Sequence, residues 1–225
     1  MYTLSERLKV IADKITGGRV ADIGTDHAYL PIYLIKTGKA SRVLACDIKE
    51  KPLQNAAKNI QKTNTKNIEL RLSDGLAGVG ADEADTIVIA GMGGEVIAGI
   101  LNRCNWIKNA GYKLLLQPMT SADFLRQFLL DNGFFIESET AVLDAGKLYT
   151  VISCAFSGEK QTVSDAFIFT GRLDPKEPTA RLYIEKQLKR LRKCQNNLEN
   201  IETEKDKYFY YKNIADDITK LLGGN

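Results

Sequence analysis

Three carboxylates and a set of glycines, spaced along the first hundred residues, could do chemistry together. Asp22 closes an apolar run in Val20-Ala21-Asp22-Ile23-Gly24-Thr25-Asp26-His27-Ala28-Tyr29. Asp47 closes a second, Arg42-Val43-Leu44-Ala45-Cys46-Asp47. Asp74 follows a third, Ile68-Glu69-Leu70-Arg71-Leu72, in Ser73-Asp74-Gly75. An apolar run, an acid, a glycine and a helix-like segment make the turn with which a doubly wound α/β domain holds a nucleotide-like ligand above its first strand. Asp47 lies about 20 residues beyond that turn, where a carboxylate takes two ribose hydroxyls. Asp74 can accept a hydrogen bond from an adenine amino group, and Gly75 permits the turn. A fourth run, Asp85–Ala90, enters Gly91-Met92-Gly93-Gly94-Glu95, where three glycines in four residues let backbone approach a ligand. Ile23, Thr25, Ile48, Ser73 and Gly91 flank these groups and complete the candidate cofactor-binding set. Each feature alone suits an ordinary strand-to-helix loop. Four strand ends in order, each with a suitable group, favour a ligand.

Of the three glycines in the dinucleotide fingerprint, only Gly24 is kept. Asp26 would set a negative charge against a pyrophosphate. The same carboxylate suits a cationic sulfonium and an amino group. The residues therefore favour S-adenosylmethionine as cofactor over NAD.

The elements that must position these groups can be read from periodicity. Ser5–Ile15 reads as an amphipathic helix and Arg19–Ile23 as the first strand; Tyr29–Lys36, Glu50–Lys62 and Glu95–Leu101 read as helices. Tyr112–Gln117 reads as a fifth strand and Ser121–Leu130 as a helix. Phe134–Val142 and Lys147–Phe156 read as two strands around the hairpin signal Asp144-Ala145-Gly146. Alternating strands and helices that end in a hairpin predict a Rossmann-like α/β domain over residues 1–157. Past a polar bridge at Ser157–Gln161 come two helical patterns, Ile184/Leu188/Leu191/Gln195/Leu198 and Tyr208/Tyr211/Ala215/Ile218/Leu222. They predict an antiparallel coiled-coil pair over 158–225. Because the two seams match within one chain, a monomer is expected.

Composition narrows the function classes. No apolar run approaches the roughly 20 residues needed to span a bilayer. The run Met1–Arg7 has no signal-peptide pattern, and the four cysteines are scattered, so a cytoplasmic protein is expected. A single histidine and no Cys-x-x-Cys pair predict no metal site. Residues 160–225 carry 13 Lys and Arg against 10 Asp and Glu, which is the whole net charge of +3. Lys186, Lys189, Arg190 and Lys193 share one helical face there, either a solvated face or a phosphate-tracking stripe.

The runs Asp22–Pro31 and Ala90–Glu95 resemble the bacterial tRNA (adenine-22-N1)-methyltransferase family (TrmK), a branch of the class I S-adenosylmethionine-dependent methyltransferases. The resemblance covers about the first 155 residues with specific motifs, and the helical tail more loosely. It implies a seven-stranded methyltransferase sheet and methyl transfer to N1 of an adenine in tRNA. Adenine N1 offers a lone pair without deprotonation, and the product ring is cationic. Alignment, a dry pocket and nearby negative potential should then carry catalysis. On that reading Asp26 is the candidate carboxylate, with His27 a secondary candidate. Tyr29 and Met92 could stack the base, and Gln117 could bond its edge. Lys186, Lys189, Arg190 and Lys193, with Arg7 near the cofactor mouth, would hold RNA. Methyltransferases acting on the exocyclic adenine amine carry Asn or Asp, Pro-Pro and an aromatic after strand four. Gly91-Met92-Gly93-Gly94 stands there instead, in keeping with a ring-nitrogen acceptor. A methyltransferase for another RNA, a protein or a small molecule, a non-catalytic RNA-binding scaffold and an NAD-dependent oxidoreductase are the competing readings.

Overall fold

The computed structural model describes residues 3–109 and 111–223. Met1 and Tyr2 of the amino-terminal run lie outside them. The chain divides into two compact units, residues 1–161 and 162–225, where the sequence places the boundary at 157/158.

The first unit contains α1 (Glu6–Asp13), β1 (Arg19–Ile23), α2 (Tyr29–Lys36), β2 (Arg42–Asp47), α3 (Glu50–Lys62), β3 (Ile68–Leu72), β4 (Thr86–Gly93), α4 (Gly94–Asn102), β5 (Lys113–Thr120), α5 (Ala122–Asp131), β6 (Phe134–Asp144) and β7 (Lys147–Phe156). The strands form one seven-stranded sheet in the order β3-β2-β1-β4-β5-β7-β6. The first five are parallel, and β7 runs antiparallel to both β5 and β6. From β1 the chain steps to β2 and β3 on one side; from β4 it steps to β5 on the other. Right-handed crossovers then put α2 and α3 on one face of the sheet and α4 on the opposite face. α1 packs against α2, and α5 against α4. Covered on both faces, β1, β2 and the first half of β4 are almost wholly buried and read as continuous apolar runs. Asp22 is the one ionisable residue inside the buried part of β1. The strand order reverses between β1 and β4, so the crevice opens at the carboxyl ends of those strands.

Two local features lock this frame. The β6–β7 turn places Ala145 at φ 47° and Gly146 at φ 75°, the paired left-handed conformation that suits a two-residue hairpin. Gly94 starts α4 directly against the turn before α5; a Cβ there would lie 2.1 Å from the Ser121 backbone carbonyl oxygen. Since backbone cannot move aside as a side chain can, Gly94→Ala is expected to lower unfolding stability by about 1–3 kcal/mol, as overpacking does. Chemical denaturation measures this, and an unchanged midpoint would refute the tight contact.

A buried ion pair ties α5 to β6. Arg126 and Glu139 are fully buried, and the guanidinium donates to both carboxylate oxygens at 2.9–3.1 Å. Thr150 Oγ1 lies 3.4 Å from Arg126 Nη2.

The second unit contains α6 (Asp165–Thr170), α7 (Pro178–Leu198) and α8 (Lys205–Leu221). The two long helices run antiparallel, since Arg181 reaches the Leu222 carbonyl, Arg192 pairs with Asp216, and Gln195 reaches Tyr208. The seam differs from the expected one. Ile184, Leu191 and Gln195 are buried, as are Tyr183 and Gln187, whereas Leu188 and Leu198 are half-buried. The physical reason is α6, capped by the Ser164 hydroxyl, which packs on both long helices and widens the apolar face. The unit is thus built of three helices and not of a two-helix seam alone. Lys186, Lys189, Arg190 and Lys193 are all exposed on α7, with the Arg190 guanidinium 5.8 Å from the Phe169 ring centroid.

Candidate active site

The ends of β1, β2, β3 and β4 line two cavities that share Gly24, Asp26, Ala90 and Gly91. The turn leaving β1 is pinned, because the Gly24 and Thr25 amides both donate to the Cys46 carbonyl at 2.9 Å. Gly24 has φ 79°, and a Cβ there would lie 2.3 Å from Met92 Cε. A side chain there would be strained by the left-handed backbone and would displace the end of Met92.

The larger cavity, about 570 Å³, is lined by Ile23, Asp47, Ile48, Ser73, Asp74, Gly75 and Met92. Asp47 is oriented by two backbone amides: Oδ1 accepts from Lys49 at 3.0 Å and Oδ2 from Asp26 at 3.3 Å. Asp74 pairs with Arg103 at 3.2 Å on the exposed rim. Ser73 spends its hydroxyl on its own turn, donating to the Gly75 carbonyl and accepting from the Gly78 amide. Ile48 and Val96, 59% and 54% exposed, present bare aliphatic surface on the cavity wall. Val96 and Arg103 escape the sequence reading because they come from α4 and the residue after it, beyond the glycine loop.

The smaller cavity, about 420 Å³, is lined by Arg7, Asp22, Thr25, Asp26, His27 and Tyr29, and also by Thr3, Leu4 and Ser5 ahead of α1. Asp22 is buried, and burial pushes its carboxyl pKa up to about 6; the Thr25 hydroxyl pulls the other way and the Asp47 charge adds to the rise. None of these influences is a cation. Asp26 and Ala28 both take left-handed backbone, at φ 51° and 55°. This strained pair of residues, on either side of His27, turns the His27 ring onto that of Tyr29, with centroids 5.3 Å apart and planes 19° apart. The His27 carbonyl is held by Asn59 Nδ2 at 2.9 Å. Asp26 Oδ2 lies 3.6 Å from His27 Nε2, and its side chain is 69% exposed.

Three candidates stand differently from their expected setting. Met92 faces the larger cavity, so the flat neighbour of Tyr29 is His27. Gln117 lines neither cavity. It is fully buried, and its Oε1 accepts from Arg7 Nη1 and from the Gly91 amide. Arg7 lines the smaller cavity with its guanidinium between Gln117 and Asp144.

These residues fit S-adenosylmethionine. The larger cavity offers two carboxylates, Asp47 and Asp74, and two aliphatic walls, Ile48 and Val96. The smaller one offers a buried carboxylate with no cation acting on it. A family model described as a methyltransferase domain matches residues 4–152. The tRNA (adenine(22)-N(1))-methyltransferase of Bacillus subtilis (strain 168) is 34% identical, over 95% of this chain and 93% of its own length. The crystal structure of the B. subtilis m1A22 tRNA methyltransferase TrmK superposes with a TM-score of 0.86 at 27% identity, covering 99% of this chain and 100% of that one. M. capricolum TrmK in complex with the natural cofactor product S-adenosylhomocysteine superposes with a TM-score of 0.80 at 29% identity, covering 99% of each chain. The chain belongs to the methyltransferase-domain family and, within it, to the tRNA (adenine-22-N1)-methyltransferases.

Proposed function

We propose that this protein transfers the methyl group of S-adenosylmethionine to N1 of adenine 22 in tRNA. The observation that carries this reading is the pair of adjacent cavities with four lining residues in common, one holding the Asp47 and Asp74 carboxylates and the other the buried Asp22 carboxylate beside the His27–Tyr29 stack. When bound, S-adenosylmethionine supplies a methyl carbon made electrophilic by its sulfonium. Asp47 would take the ribose hydroxyls, Asp74 the adenine amine, and Ile48 and Val96 would flank the ring, with Ile23, Gly24, Thr25, Ser73, Gly75 and Gly91 shaping the turns. Asp22 would hold the cofactor's ammonium. His27 and Tyr29 would stack the acceptor base. Asp26 would place negative charge beside a ring that becomes cationic on methylation. Met92 would fill the partition between the two ligands.

N1 lies on the Watson–Crick edge, so the acceptor must be unpaired or drawn out of the tRNA core. Residues 1–159 are neutral and would grip RNA weakly, which leaves the second unit as the handle. Lys186, Lys189, Arg190 and Lys193 would track phosphates from their exposed face. Replacing Lys189, Arg190 and Lys193 with alanine is expected to weaken tRNA binding and lower its salt slope by about 2, with cofactor binding unchanged. An unaltered slope removes the RNA role from α7. The reading also takes the enzyme to act as a cytoplasmic monomer without metal. No described helix is long and apolar enough to cross a membrane.

The direct test is transfer of labelled methyl from S-adenosylmethionine to unmodified tRNA, with the product nucleoside identified by mass spectrometry. Label in 1-methyladenosine, lost when adenine 22 is replaced, is the expected result. Cofactor binding without label in tRNA would send the search to another acceptor.

A further inference from the structure

The wall of the smaller cavity is held from a part of the fold that the cofactor turn does not explain. Arg7, in the first turn of α1, enters that wall with its side chain a quarter exposed. Its Nε lies 3.2 Å from Asp144 Oδ2, and its Nη1 donates to Gln117 Oε1 at 3.0 Å. Asp144 is the last residue of β6, beside the hairpin turn, and its other oxygen accepts the Glu6 amide at 3.2 Å. One carboxylate therefore fixes both the backbone at the start of α1 and the guanidinium that projects from it. Gln117 has its amide orientation set as well. Nε2 donates to the Pro118 carbonyl at 2.9 Å, which leaves Oε1 for Arg7 and for the Gly91 amide at 3.1 Å. Two of the three guanidinium nitrogens are committed; Nη2 makes no hydrogen bond among the described residues. Asp22 lines the same cavity as a buried carboxylate on which no cation acts. A fixed guanidinium and an unpaired carboxylate on one small cavity complement a zwitterion.

The geometry points to Asp144 and Gln117 as positioning residues that hold Arg7 as the receptor for the carboxylate of an α-amino-acid group, the methionyl end of the methyl donor. The inference rests on the cofactor reading given above and adds to it. A free arginine side chain loses rotamer freedom when it captures a carboxylate, whereas one already held loses little. Removing a holder therefore shows as lost affinity for the carboxylate-bearing ligand alone. Asp144 lines neither cavity, so its effect must pass through Arg7.

The test compares two ligands by calorimetry on the full chain. S-adenosylhomocysteine and 5′-methylthioadenosine share adenosine and thioether, but only the first carries an amino-acid group. Asp144→Asn and Gln117→Leu are each expected to weaken S-adenosylhomocysteine binding by about tenfold and leave 5′-methylthioadenosine unchanged. Arg7→Lys leaves the Asp144–Glu6 bond in place and is expected to show the same split, which keeps the test sound if a holder variant fails to fold. Asp144→Glu should recover part of the loss. Equal losses for both ligands would reduce Asp144 and Gln117 to ordinary packing and overturn the inference, as would no loss for either. A wild-type chain that binds neither ligand would overturn the cofactor reading itself. One that binds S-adenosylhomocysteine no more tightly than 5′-methylthioadenosine would spare that reading and overturn the zwitterion site.

Discussion

Asp22→Asn is expected to lower affinity for S-adenosylmethionine by up to about 100-fold near pH 8 and to flatten its dependence on pH. A buried carboxylate that loses its charge forfeits a charge-assisted bond in low dielectric, worth about 1.5–3 kcal/mol. Only the ionised carboxylate pairs with an ammonium, and the Asp22 pKa is about 6 in the absence of ligand. Wild-type affinity should therefore fall as the pH drops below about 6, by about tenfold per unit, while the asparagine variant stays level. The effect on folding has the opposite sign. A carboxyl whose folded pKa of about 6 exceeds its reference value of 3.8 contributes stability at low pH, fully present below 3.8 and lost as pH rises through 6. Above that window the ionised group is a burden, and the variant should unfold no more easily than wild type. A weaker binder that is at least as stable separates a binding role from damage to the sheet. Calorimetry across this pH range, paired with thermal unfolding, decides it; parallel affinity curves for the two proteins would sink the assignment.

Arg126→Met is expected to destabilise the first unit by about 3–5 kcal/mol, because it takes away the guanidinium that pairs with the buried Glu139 carboxylate. Removing both charges, as Arg126→Met with Glu139→Leu, should recover most of that loss, since a buried pair repays little beyond its own desolvation. Urea denaturation of the two single variants and the double variant measures the coupling. Additive losses would show that the pair does not act as a unit.

Much of the frame was legible because local signals agreed with one another. The bounds of α2, α3 and β7 follow from periodicity and turn residues, and the Asp144–Gly146 signal marks a hairpin that forms there. Asp22, Gly24, Asp47 and Asp74 were readable as a site since each ends a strand, and parallel strands of one sheet bring such ends together. What escaped depends on tertiary packing. α6 spans six residues, too few for a helical period to stand out from a short apolar run. Gln117 reads as an edge reader at the end of a strand, yet the strand continues to Thr120 and the side chain is enclosed by Arg7 and the Gly91 amide. Thr3, Leu4 and Ser5 reach the cavity because Leu4 is buried in a core cluster with Val142, a contact between distant parts of the chain. Asp144 reads only as a turn acid; its bond to Arg7 exists once α1 and the hairpin meet.

The wall common to both cavities, made of Gly24, Asp26, Ala90 and Gly91, has a kinetic meaning. A methyl donor that spans both cavities and an acceptor base that enters the smaller one cannot come and go independently, and a macromolecule over the smaller cavity closes the exit for the donor's amino-acid end. Turnover should follow a compulsory order, with the small molecule first in and last out. S-adenosylhomocysteine should then inhibit competitively against S-adenosylmethionine but not against tRNA, in initial-rate measurements that vary each in turn. Competition with both would mean random traffic through two separate doors.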